Sequence, residues 1–204
     1  TPPPAIRSPA IRLLAASLLV AACGGATQAP PMAVPASGLT GDRTLVVPTQ
    51  RVVGVPGDVD GELAFALQAR GGSDRWVFPR EARRALAASP GLDAPLDNLP
   101  VDIFLRAQVT RVGDPLYGMI RRAAAVTDAQ RVLIPVAVAP RREEASDDGR
   151  EADPAVEVLA ALVDVRSGRV VWTGVVHGSG RPDDPGALAG AMEALARTVV
   201  PGSP

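Results

Sequence analysis

The chain has 204 residues, a formal net charge of −1 and 47% apolar residues. That is enough to bury the core of one ordinary domain, and too apolar for a globally disordered chain. Its 21 basic residues are all arginine and are scattered among 22 acids with no basic stripe, which argues against nucleic acid, and against an acidic membrane surface, as specific partners.

The first recognisable element is a targeting segment. Arg7 and Arg12 precede an apolar run from Leu13 to Ala22, which ends at the chain's single cysteine, Cys23, followed by Gly24-Gly25. A basic start, a short apolar stretch and small residues at a cleavage point predict a signal peptide over residues 1–22, because the run falls short of the roughly 20 apolar residues a membrane span needs. Val20-Ala21-Ala22-Cys23 resembles the lipobox of bacterial lipoproteins. That resemblance implies acylation of Cys23 and an anchor in the membrane, where two or three acyl chains hold firmly at about 0.8 kcal/mol per buried CH₂. Gly24 after the cysteine resembles the pattern of proteins sent to the outer membrane. Residues 23–42, rich in Gly, Ala, Pro, Ser and Thr, read as the lipidated cysteine and a flexible tether, about 3.1 Å per residue where extended.

The domain is expected over residues 43–200. Arg43 to Pro48 suits a short buried strand; Asp58 and Asp60 suit the start of a helix whose apolar face is Leu63, Phe65, Ala66 and Leu67 and whose end is Gly71-Gly72. Arg75 to Phe78 reads as a second strand and Pro79 opens a second helix, a βαβ unit with parallel strands. Ser89 to Pro100 is a loop, and Val101 to Val112 is open between strand and helix. Pro115 to Ala125 predicts a helix with Leu116, Met119, Ile120 and Ala123 on one stripe and Arg121 and Arg122 facing away from it. Gln130 to Val138 is a third strand, and 140–154 is a charged, solvated loop. Ala155 to Val165 and Arg169 to His177 form a hairpin over Arg166-Ser167-Gly168, apolar on both faces and therefore expected to be central strands covered from two sides. Asp184-Pro185 caps a last helix with Leu188, Ala191, Met192, Leu195 and Val199 on one stripe. The expected fold is a single α/β domain, a mixed sheet of about five strands with helices on both faces, in the order β-α-β-α-(insert)-β-β-β-α.

Asp164, Gly168 and Val170-Val171-Trp172 in the last hairpin, with Thr127-Asp128-Ala129-Gln130-Arg131-Val132-Leu133-Ile134 before the third strand, carry a family resemblance over about Arg43 to Val199. The pattern resembles a group of bacterial envelope lipoproteins: the curli-secretion lipoprotein, the outer-membrane activators of penicillin-binding proteins, and relatives sharing the amino-terminal fold of the Tol translocation protein. The resemblance implies an accessory role beside another envelope protein. A lipid-facing pore is not expected, because neither the Pro-rich loop nor the charged loop alternates in the way a membrane strand must. Trp172 is expected to pack under a helix.

Catalytic patterns are not found. His177 is the only histidine, so a multi-histidine metal site cannot form, and with a single cysteine neither can an intrachain disulfide. Ser179 lies two residues on without a Gly-x-Ser-x-Gly elbow. Asp58-Val59-Asp60-Gly61-Glu62 lacks the glycine and final acid positions of a calcium loop. The sequence therefore predicts a non-enzymatic scaffold or activator with no cofactor and no metal, held to the periplasmic face of the outer membrane through Cys23 and bound to an envelope protein partner. Tyr117, Arg121 and Arg122 are its candidate contact residues. A ligand-binding or transport-accessory lipoprotein is the alternative, and a hydrolase using His177 the third reading.

Overall fold

The computed structural model describes residues 42–92, 94–141 and 153–200. The signal segment, Cys23, all of the tether before Asp42 and most of the charged stretch 140–154 lie outside the described residues. Ten elements follow in chain order, with a single 3-10 turn over Ser73–Arg75 between the second and third: β1 (Thr44–Val46), α1 (Val59–Gly71), β2 (Trp76–Val77), α2 (Pro79–Ala87), α3 (Asp102–Arg106), α4 (Leu116–Thr127), β3 (Arg131–Pro140), β4 (Ala155–Asp164), β5 (Val170–Ser179) and α5 (Pro185–Val199). The strands form one sheet in the order β2-β1-β3-β4-β5. β1 runs parallel to β2 and to β3, while β3–β4 and β4–β5 are antiparallel. This is the mixed five-stranded α/β sheet with helices on both faces that the sequence predicts.

Local chemistry sets the helix boundaries. The Asp58 carboxylate accepts the Gly61 N–H at 3.0 Å, satisfying one of the donors a helix start leaves orphaned, and Asp60 and Glu62 sit in the positive first turn of α1. Pro79 opens α2, where its missing N–H costs nothing. Asp184 accepts the Gly186 N–H at 2.8 Å ahead of Pro185 and so starts α5.

Strand alternation then sorts the core into two layers. On one face α1 and α5 cover Val46, Leu133, Val158, Leu162 and Trp172; on the other, α2, α3 and α4 cover Leu45, Val77, Val132, Ile134 and Val163. The expected stripe of α5, Leu188, Ala191, Met192, Leu195 and Val199, is buried in full. Arg70 on α1 donates to the Glu193 carboxylate on α5, Nε to Oε1 at 2.7 Å, and this hydrogen bond holds the carboxyl below its ordinary value.

Several expectations need correction. β5 is an edge strand, not a central one; its α5 face is buried in part and its other face only partly covered, and an apolar composition does not report lateral position. Trp172 is buried under α5 as expected, but on that edge strand. Phe65 is 72% exposed, because Leu63, Ala66 and Leu67 share a helical face and Phe65, two residues from Leu63, points away from it. The open segment Val101–Val112 is part helix, α3, and part extended chain, with Arg111 bridged to Arg169. α4 extends two residues beyond the expected end, to Thr127, and Met119 is only partly buried on its stripe.

Candidate functional site

The fold brings the Tyr117 side of α4 against the β4–β5 hairpin. Tyr117 is half-buried, and its hydroxyl lies 3.1 Å from both the Val165 and the Arg166 carbonyl oxygens. Gly168 sits at φ +68, and a Cβ there would stand 3.1 Å from the Tyr117 ring and from the Val112 carbonyl oxygen. Only glycine combines that backbone with that contact. Asp164 closes the same turn by accepting from the Ser167 N–H at 2.8 Å, while the Gly168 N–H donates to the Asp164 carbonyl at 2.9 Å. The Asp164–Gly168 pattern is thus explained as turn chemistry. Of the candidate contact residues, Arg121 and Arg122 are exposed and Tyr117 serves as an internal clamp. Tyr117→Phe should therefore lower stability by about 1 kcal/mol, the worth of one such hydrogen bond, in urea unfolding.

A surface the sequence did not reveal is the outer edge of β5. The Gly180 N–H donates to the Pro154 carbonyl, which sets the even residues of this stretch facing β4. By antiparallel alternation, Thr173, Val175, His177 and Ser179 direct their N–H and C=O groups away from the sheet. At the start of the strand a bulge reverses this parity, so that the Val170 N–H points outward and is taken by the Thr110 carbonyl at 2.9 Å. Beyond it no backbone group pairs with this edge among the described residues. The strand carries no proline and only His177 as a titratable side chain. An edge of that length with so little protection is a template for another strand. The missing proline and charge were visible in the sequence; the edge position was not.

His177 is exposed, with Nδ1 3.5 Å from Glu157 Oε1, and Glu157 also accepts from Arg141 Nε at 3.3 Å. No hydrogen bond joins His177 to Ser179 among the described residues, and the pair lacks the contact a nucleophile–base couple requires. Asp60 Oδ1 accepts from the Thr49 N–H at 2.9 Å and from its hydroxyl at 2.7 Å, so this carboxylate ties β1's exit to α1. A shallow surface dip lined by Asp42, Thr44, Arg75, Trp76 and Val200 lies at the start of β1 and β2 and has no room for a water-sized sphere. No cluster of three metal-ligating side chains occurs among the described residues, and no described helix is long and apolar enough to cross a membrane.

No family model and no curated protein matches the chain. Similar solved structures do exist. The PelC dodecamer from Paraburkholderia phytofirmans is 20% identical with a TM-score of 0.47, over 86% of this chain and 97% of that one. A single-substitution variant of the same dodecamer is 22% identical with a TM-score of 0.42, over 79% and 88%. The hypothetical protein CT253 from Chlamydia trachomatis is 11% identical with a TM-score of 0.33, over 78% and 91%. At these values the likeness is one of general outline and says nothing of activity.

Proposed function

We propose that this chain is a lipid-anchored envelope protein, held by Cys23 at the periplasmic face of the outer membrane, and that its domain acts as a non-enzymatic accessory by accepting an extended segment of another envelope protein along β5. The lipobox, the tether and the resemblance to envelope lipoproteins support the location. The observation that carries the mode of action is the open edge at Thr173, Val175, His177 and Ser179, whose outward N–H and C=O groups lack backbone partners among the described residues. What satisfies such groups is a strand, with affinity from main-chain hydrogen bonds and specificity from side chains on alternate faces.

The test uses in vivo crosslinking and affinity purification from detergent-solubilised envelopes. The parent chain should capture a stoichiometric protein. Val175→Pro removes one outward donor without breaking the ladder to β4, since edge strands tolerate proline where the N–H faces away from the sheet. Capture should fall by about tenfold, the worth of roughly one hydrogen bond at the edge, with Val175→Thr as the control that keeps donor and β-branching. Equal capture by Val175→Pro, or recovery of the parent alone, would reject the reading.

A further inference from the structure

The arginines that looked scattered in the sequence are gathered by the fold. Arg111 lies directly opposite Arg169 in an isolated antiparallel bridge. The flanking bonds, Val112 N–H to the Gly168 carbonyl at 2.8 Å and Val170 N–H to the Thr110 carbonyl at 2.9 Å, make this the non-hydrogen-bonded pair type. That type brings side chains closest, with Cα atoms about 4.5 Å apart. Like charges directly opposite each other destabilise a ladder. Both residues are exposed, and neither has a carboxylate partner among the described residues. Arg166 is exposed in the adjoining turn, where the Tyr117 hydroxyl holds its carbonyl, and Arg121 lies one turn further along α4 on the Tyr117 face. Neither of these has a described carboxylate partner either. Of the nearby acids, Asp42 and Glu81 are paired with Arg131 and Arg43, while Asp164 and Asp114 accept from neutral donors, the Ser167 and Gly118 N–H groups, and keep their charge. Asp128 is exposed at the end of α4.

The position of this patch matters as much as its charge. The Gln130 N–H donates to the Arg43 carbonyl at 2.9 Å, and the Val165 N–H to the Gln130 carbonyl at 3.0 Å. Those two bonds place the point where the described chain begins, Asp42–Arg43, on the same rim of the sheet as the Arg166–Arg169 turn. Residues 24–41 connect that rim to Cys23. We infer that this rim, centred on Arg111, Arg166 and Arg169, binds the phosphate groups of anionic phospholipid at the membrane surface. That a membrane lies within reach rests on the Cys23 reading; the recognition itself rests on the directly opposed guanidinium groups of Arg111 and Arg169, with Arg166 beside them and none of the three in a described ion pair. Strand docking along Thr173–Ser179 is left free by it.

The test is vesicle flotation of the chain from residue 23 to 204 carrying Cys23→Ser, so that neither the signal segment nor an acyl anchor contributes. Vesicles of phosphatidylglycerol with phosphatidylethanolamine are compared with vesicles of phosphatidylcholine. Binding should favour the anionic vesicles and weaken with added salt, because exposed charges are screened. Arg111→Gln/Arg166→Gln/Arg169→Gln together should reduce it by roughly 100-fold, at about 1 kcal/mol for each arginine near an anionic surface. Arg80→Gln/Arg84→Gln/Arg197→Gln removes the same charge from exposed sites on α2 and α5 and should leave most of the binding. Equal binding to both vesicle types, or equal loss in both triple variants, overturns the inference. So does retention of anionic-vesicle binding by the first triple variant, and so does anion-dependent capture of an acidic protein without vesicle binding. Crosslinked capture through β5 is measured on the same variants, so failure here is separable from failure of the proposed function.

Discussion

Gly178→Ala is expected to destabilise the domain by about 3 kcal/mol, near the upper end of ordinary overpacking. Gly178 lies on β5 facing α5, opposite Val156 on β4. A Cβ built there would stand 2.0 Å from the Ala187 carbonyl oxygen, 2.4 Å from the Ala191 nitrogen and 2.9 Å from the Ala191 Cβ. Two of those three atoms are helix backbone, so no side-chain rotation can relieve the clash, and α5 must shift bodily. Leu188, Ala191, Met192 and Leu195, which seat α5 in the core, would shift with it. The companion substitution has the opposite sign. Gly190 lies inside α5, and a Cβ there meets only the Gly178 Cα, at 3.8 Å, an ordinary contact. Gly190→Ala should be neutral or stabilising by up to about 1 kcal/mol, the helix-propensity difference between the two residues. Urea unfolding followed by circular dichroism checks both. Similar, small effects at the two positions would mean that α5 does not approach β5 at this spacing.

That close approach illustrates what the sequence could and could not say. The stripe of α5, its Asp184-Pro185 start, the parallel β1–β2 pair and the hairpin turn were legible, because each follows from local periodicity or capping chemistry. The position of β5 at the edge was not. Val170–Val176 would read the same in the middle of a sheet, and lateral order is fixed by long-range pairing that leaves no periodic trace. The candidate site shows the same division. Arg121 and Arg122 are exposed, as their positions off the apolar stripe implied, while the bond of the Tyr117 hydroxyl to the hairpin carbonyls leaves no local signal in sequence. The opposition of Arg111 and Arg169 depends on an isolated bridge between two residues outside every strand, Arg169 lying immediately before β5. No spacing rule anticipates that, which is why arginines scattered through the sequence meet in space.

The second large effect is expected at Trp172. It is 1% exposed beneath α5, opposite Leu162, and its indole N–H is buried without a hydrogen-bond partner. Trp172→Ala should cost about 4 kcal/mol, combining lost transfer energy with the cavity left behind. Trp172→Phe should cost far less, about 1 kcal/mol, because it keeps most of the ring and removes a donor that had no partner to lose. Circular dichroism through urea unfolding separates the two; a phenylalanine variant as damaged as the alanine one would show that the indole nitrogen is bonded after all. The consequence reaches the edge surface. Trp172 is the first residue after the bulge that reverses the parity of β5, and its ring packs the strand onto α5 just ahead of Thr173, Val175, His177 and Ser179, which turn outward. Without that ring the strand loses its largest anchor to α5 while the backbone ladder to β4 remains. Partner capture should therefore fall with Trp172→Ala, even at temperatures where the variant is still folded, and persist with Trp172→Phe. A capture level that follows only the folded fraction would assign Trp172 to stability alone.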